Sequence, residues 1–296
     1  MKALPFFPFF LDPVRHLRNL CSLRISAALL RATALELAIL AGHLLLYPSG
    51  LTPERPHSPQ RPGRIPAPTP DPDAPATATL PTAGQDHPPV VLLHGFVDNR
   101  SVFVLLRRSL AQHGRRHLEC LNYSPLTCDI RTAAELLGRH IEEICARTGH
   151  REVDIVGHSL GGLIARYYAQ CLGGDQRVRT LVTLGTPHSG TTVAPLASAH
   201  PIVRQMRPGS SVIEELTKPA PGCRTRFVSF WSDLDQLMVP VETACIDHPD
   251  LLAQNVQVSG IGHLALPVHP AVATGIRQAL ESSDSAAGAS GAVSVA

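Results

Sequence analysis

Residues 153–166 read VDIVGHSLGGLIAR, and the reading of that stretch decides the fold of the chain. A short β-branched run, Glu152-Val153-Asp154-Ile155-Val156, has the character of a buried parallel strand. It leads into a glycine-flanked turn with a serine at its apex. The run after it, 160–171, carries Leu163, Ile164, Tyr167 and Tyr168 at helical spacing. Gly157-His158-Ser159-Leu160-Gly161 therefore fits G-x-S-x-G, in which a serine is presented on a sharp turn from strand to helix. The spacing has a steric reason: the apex backbone is strained, and glycine two residues to either side lets strand and helix approach closely. The turn lifts the Ser159 hydroxyl clear of the sheet and aims the Leu160 N–H, at the helix start, towards the same point. The pentapeptide alone is a weak signal, and the strand before it and helix after it make it a strong one.

Working outward, Val90-Val91-Leu92-Leu93 reads as a buried strand ending at His94-Gly95-Phe96. Helix (101–113), strand (117–123) and helix (130–148) come next, the last with Ala133, Leu136, Leu137, Ile141 and Ile144 on one face. Beyond the serine turn come strands at 177–185, 227–231 and 255–259 and a closing helix at 270–280. Strands alternating with helices predict an α/β fold, a mostly parallel sheet with helices on both faces.

A serine hydroxyl is a poor nucleophile at neutral pH unless a histidine takes its proton and an acid orients that histidine. Where a serine sits on such a turn, the acid and then the histidine come after it in the chain. The acid belongs on a loop just after a strand, and Ser232-Asp233-Leu234-Asp235 follows Phe227-Val228-Ser229-Phe230-Trp231. Asp235 is the favoured candidate, with Val239-Pro240 turning the chain back after it, and Asp233 is its rival. Among fifteen histidines, position after the last strand selects His263 in Ser259-Gly260-Ile261-Gly262-His263-Leu264. The oxyanion formed in acyl transfer needs two preorganised N–H donors. Leu160 supplies one and Phe96, in a turn shaped by His94 and Gly95, supplies the other. His158 reads as packing beside the serine.

LLHGF, VGHSLGGLIARYY, TLGTPHSGT and SDLDQLMVP with a later GIGH resemble the α/β-hydrolase lipases of bacteria, close to the secreted or membrane-attached triacylglycerol lipases of actinobacteria. The resemblance covers about residues 89–281. It implies the α/β-hydrolase fold, cleavage of carboxylic esters, most of all acylglycerols, and a triad of Ser159, Asp235 and His263 with Phe96 and Leu160 as oxyanion donors. It makes Pro187 and His188, in Thr186-Pro187-His188-Ser189-Gly190, a wall of the cleft, with His94, Gly95 and His158 beside the substrate. Three residues separate Asp235 from Val-Pro where many relatives have two, which keeps Asp233 in play. No cofactor is expected, and no metal, although Asp247 and Asp250 lie near the histidine loop. A short-chain esterase or an acyltransferase shares these features, and a catalytically silent binding module of the same fold is the reading from another class. Residues 191–222 form either a small lid or acyl-site wall, or a plain connection.

The remainder of the chain sets its context. Residues 1–26 are apolar and basic, and 27–47 are mostly apolar and long enough to span a bilayer, interrupted by Arg31, Glu36 and His43. Lys2, Arg15, Arg18 and Arg24 precede that stretch, so the positive-inside rule puts the N-terminus in the cytoplasm and the domain beyond residue 47 outside it. Residues 1–47 are thus an anchor, a cleaved export signal, or an amphipathic helix lying on a membrane or on the folded domain. Either of the first two puts the protein outside the cytoplasm, at or near a lipid interface. Residues 48–88 are proline-rich and read as an extended linker; 282–296 read as a Ser/Ala/Gly tail. A net charge of +2 carries no nucleic-acid footprint. The seven cysteines hold no C-x-x-C pair; Cys223 with Cys245 is the favoured disulfide, Cys120 with Cys128 the weaker, and Cys145 and Cys171 are expected buried on helices.

Overall fold

Among the described residues the strands form one parallel sheet in the order β2-β1-β3-β4-β5-β6. The strands are β1 Val90–Leu93, β2 Leu118–Leu121, β3 Val153–His158, β4 Val178–Leu184, β5 Arg226–Ser232 and β6 Leu252–Val258. The helices are α1 Leu30–Pro48, α2 Val104–Gln112, α3 Ile130–Thr148, α4 Leu160–Cys171, α5 Pro201–Gln205, α6 Ser211–Glu215 and α7 Pro270–Ser290. These come from a computed structural model that describes residues 30–48, 87–96, 98–123, 129–193 and 200–290. The basic pre-sequence, nearly all of the proline-rich stretch, Cys21, Cys128 and residues 291–296 lie outside the described residues.

Alternation along the strands builds two cores. Val91 and Leu93 of β1 and Val153 and Ile155 of β3 face α3 and α4. Val90 and Leu92, with Val156 of β3 and Val182 and Leu184 of β4, face α2 and α7. Strands buried on both faces read as near-continuous apolar runs, which is why β1, β3 and β4 were legible in sequence. Helix α3 starts where the Asp129 side chain accepts from Thr132 N at 2.8 Å and ends at Gly149 in the left-handed region.

Register aligns the carboxyl ends of the central strands. Leu93 pairs with Gly157, Gly157 with Thr183, and Thr183 with Ser229. The loops after β1, β3, β4, β5 and β6 therefore open on one edge of the sheet, where doubly wound folds bind their ligands.

Several expectations meet a different outcome. Cys223 and Cys245 are both free thiols, and Cys120 is buried on β2. Cys145 is buried, whereas Cys171 is exposed at the end of α4. Helix α7 continues to Ser290, through part of the stretch read as a tail; its alanines tolerate helix well.

Helix α1 is, among the described residues, the one helix long and apolar enough to cross a membrane, at 19 residues. Leu30, Leu37, Leu44 and Leu45 are exposed. Its opposite face lies on the sheet domain: Ala32 is buried, Ile39 packs on the α2–α7 core, and the Tyr47 carbonyl accepts from Asn99 Nδ2 at 2.8 Å.

Candidate active site

Ser159 sits between β3 and α4 with φ 52° and ψ −119°, the one non-glycine residue at positive φ among the described residues. A side chain in that region is strained, and the surroundings hold it there. Ser159 N donates to the Leu184 carbonyl at 2.9 Å, and the Thr186 hydroxyl donates to the Ser159 carbonyl at 3.0 Å. The flanking glycines have specific neighbours. A Cβ on Gly157 would lie 2.5 Å from the Gly162 backbone, and one on Gly161 would lie 2.4 Å from the Leu93 carbonyl oxygen. Helix α4 thus enters the sheet edge at a distance only glycine permits.

Asp235 and His263 meet beside this turn. Asp235 Oδ2 accepts from His263 Nδ1 at 2.8 Å, while Oδ1 accepts from Leu237 N at 2.9 Å and Met238 N at 3.1 Å. Asp233 is exposed and accepts instead from Gly260 N at 3.1 Å, so Asp235 is the carboxylate that faces the imidazole. Burial works to raise the Asp235 carboxyl, but the charge and hydrogen bond of His263, with the two backbone donors, hold it below its ordinary value. Burial works to lower His263, and the Asp235 charge and hydrogen bond raise it above its ordinary value, with smaller help from Glu36 and Asp98.

Behind this pair lies a layer that sequence reading did not single out as a unit. Asp98 is buried; its Oδ2 is 3.3 Å from His158 Nδ1, and its Oδ1 is 3.6 Å from His43 Nδ1. His158 Nε2 donates to the His263 carbonyl at 3.2 Å, and the two imidazole centroids are 4.7 Å apart. Burial lowers His158, whereas the two histidines hold the Asp98 carboxyl far below the carboxylate range despite its own burial. The signal available was an acid two residues beyond Phe96 in the H-G-F turn.

Gly95, Phe96, Asp98, His158, Ser159, Pro187, Leu237, Met238, His263 and Leu264 line one cleft, closed on its apolar side by Val193, Val203 and Met206. Residues after β4 thus supply a wall of the site. Phe96 is half-buried with its ring edge-on to His200 at 5.3 Å, and it lines the cleft together with Ser159. Leu160 opens α4, so its N–H has no acceptor one turn back in the helix.

Two residues expected at the substrate do not reach the cleft. His94 stacks on Tyr123 at 4.5 Å and donates from Nδ1 to the Gly95 carbonyl at 2.8 Å, so it shapes the turn from behind. His188 lies beneath Pro187, buried, and bonds through Nε2 to Thr183 Oγ1 at 2.9 Å. Burial pushes both imidazoles below their ordinary value, His188 well below. Among the described residues no three His, Cys, Asp or Glu side chains cluster as a metal site would require.

The chain has the α/β-hydrolase fold: six parallel strands among the described residues, helices on both faces, and a match of residues 88–210 to the family model described as alpha/beta hydrolase fold. Within that fold its sequence is similar to bacterial triacylglycerol lipases. It is 32% identical over 114 residues to one from Pseudarthrobacter phenanthrenivorans, a segment covering 36% of this chain and 35% of that lipase. It is also 32% identical over 114 residues to one from Burkholderia plantarii, covering 36% and 31% respectively. The chain thus spans about a third of the length of the curated relatives it matches. The mature Bacillus licheniformis lipase BlEst2 superposes with a TM-score of 0.57 at 16% identity, covering 66% of this chain and 93% of that one, a likeness of fold.

Proposed function

We propose that the chain is a serine hydrolase of carboxylic esters whose substrates are acylglycerols, acting through Ser159, Asp235 and His263. The observation that carries this reading is that a serine on a strained turn and an imidazole line one cleft, with a buried carboxylate behind them 2.8 Å from the imidazole Nδ1. His263 Nε2 takes the Ser159 proton as Oγ attacks the ester carbonyl. The N–H groups of Leu160 and Phe96 hold the oxyanion, where preorganised donors contribute most. His263 then protonates the leaving alcohol and activates the water that releases the acid, while Asp235 stabilises the imidazolium. The similarity to triacylglycerol lipases and the apolar wall of Val193, Val203, Met206, Leu237 and Met238 favour an acyl chain in the cleft.

The test is hydrolysis of a series of acyl esters, short to long, by the full chain and by Ser159→Ala, below and above each ester's solubility limit. Long-chain activity that rises when an interface forms and disappears in the variant is the expected result. Activity confined to soluble short esters would make the protein a carboxylesterase. Equal rates for the two proteins would sink the mechanism.

A further inference from the structure

Helix α1 brings one carboxylate to the catalytic edge. Glu36 Oε2 accepts from Leu264 N at 2.9 Å and Oε1 from Ala265 N at 3.0 Å, so both oxygens clasp consecutive amides of the loop that carries His263. A carboxylate on an apolar helix is costly to bury unless it gains charge-assisted bonds, and two backbone donors supply them. The loop is shaped to receive it. A Cβ on Gly262 would lie 2.5 Å from Glu36 Cδ, so the glycine before His263 makes room for this carboxylate. The same helix face makes a second approach. His43, two turns on from Glu36, faces Asp98, which faces His158, which donates to the His263 carbonyl. Gln236, next to Asp235, donates to Thr33 Oγ1 at 3.2 Å on that face.

We propose that Glu36 is a positioning residue for His263: by holding the amides of Leu264 and Ala265, it keeps the imidazole between Asp235 and Ser159. This rests on the hydrolase reading for its kinetic consequences. The groups facing His263 are Asp235 from the loop after β5, His158 from the serine turn, Asp98 from the loop after β1, and Glu36 from α1. Removing the Glu36 charge removes one of the influences that favour the imidazolium.

The test uses the full chain and the variants Glu36→Ala, Glu36→Gln and Gly262→Ala, with p-nitrophenyl butyrate as substrate. Misplacing a catalytic group by about 1 Å costs about a hundredfold in rate, so Glu36→Ala is expected to lower kcat by about ten- to a hundredfold with little change in KM. Glu36→Gln keeps one acceptor oxygen, loses less, and shifts the acid limb of kcat/KM to lower pH. Gly262→Ala displaces the carboxylate, reproduces Glu36→Ala, and adds nothing to it in the double variant. The proton resonance of His263 Nδ1, titrated without substrate, is expected to show a lowered imidazole pKa in Glu36→Gln. Wild-type kcat and an unchanged imidazole titration in Glu36→Gln and Glu36→Ala would overturn the proposal. So would losses that disappear at temperatures where every variant is fully folded. A wild type inactive on every ester, with the resonance still shifted in Glu36→Gln, would refute the hydrolase reading and uphold the positioning.

Discussion

Asparagine at position 235 would change a single atom and one charge. In the native site Oδ1 takes the amides of Leu237 and Met238, and Oδ2 takes the His263 Nδ1 proton. An asparagine carbonyl would stay with the two backbone donors, which turns its NH2 towards Nδ1. His263 would then have to accept at Nδ1 and carry its proton on Nε2, the wrong tautomer to receive one from Ser159. The charge matters as well. A carboxylate about 4 Å from an imidazolium charge centre is worth about 4 kcal/mol at an effective dielectric constant of about 20. At 1.36 kcal/mol per tenfold that is about three decades in rate. With the tautomer effect added, Asp235→Asn is expected to lower kcat by about 10³- to 10⁴-fold, with KM within about threefold. The assay is the pH-rate profile on p-nitrophenyl butyrate, alongside Asp233→Asn, which should stay within about threefold of wild type because Asp233 is exposed and bonds to the Gly260 amide and Ser232, whereas His263 bonds to Asp235. The acid limb of the wild-type profile should lie above the ordinary imidazole value and move down in Asp235→Asn, since the carboxylate is what raises His263. The same pair sets a pH dependence of stability. The Asp235 contribution is present above the ordinary carboxylate pKa and is lost as pH falls through its lowered folded value; the His263 contribution is present below the ordinary imidazole pKa and is lost as pH rises through its raised folded value. Melting temperatures of parent and variant should therefore differ most in mildly acidic solution, where both partners are charged. Asp235→Asn with more than about a tenth of wild-type kcat, or Asp233→Asn with an equal loss, would refute the reasoning.

Gly161→Ala would set a methyl 2.4 Å from the Leu93 carbonyl oxygen and 2.6 Å from that of His94, both backbone, and should cost about 3 kcal/mol or more in denaturant unfolding. Gly138→Ala sits within α3, where alanine would ordinarily gain about 1 kcal/mol. Its methyl would lie 2.8 Å from the buried Tyr168 ring, whose other edge is hemmed in by Gly174, so a net loss of about 1–2 kcal/mol with unchanged KM is expected. Thr186→Val removes the hydroxyl that donates to the Ser159 carbonyl, but Gly162 N still donates there at 3.1 Å, so chemical denaturation should report a loss of only about 1 kcal/mol.

Local pattern made most of the sheet legible. The serine turn needs its glycines because of contacts within a few residues and with an adjacent strand, and such needs leave a mark in sequence. Asp235 and His263 were findable because each comes after a strand ending at the same edge. The residues that sequence reading misplaced depend on which way a side chain turns. His94 and His188 flank the turns of the candidate site and point behind them, towards Tyr123 and Thr183. Cys223 and Cys245 bracket the acid loop in sequence, yet each is a separate thiol. Glu36 and Asp98 were opaque for a different reason. Glu36 meets a loop 228 residues away, and no window of sequence holds both partners. One trace was present: Glu36 and His43 interrupt an apolar run at a spacing of two helical turns, which puts them on one face.

The distance between α1 and its seat also has a temporal meaning. A ribosome makes about 5–20 residues each second. Glu36 therefore emerges on the order of ten to fifty seconds before the Leu264 amide it will hold, 228 residues later. During that interval a 19-residue apolar helix is available with its docking surface not yet synthesised. Any targeting factor that captures apolar nascent segments competes without opposition from the folded domain. Docking of α1 through Glu36 thus waits on the synthesis of the loop at 264–265.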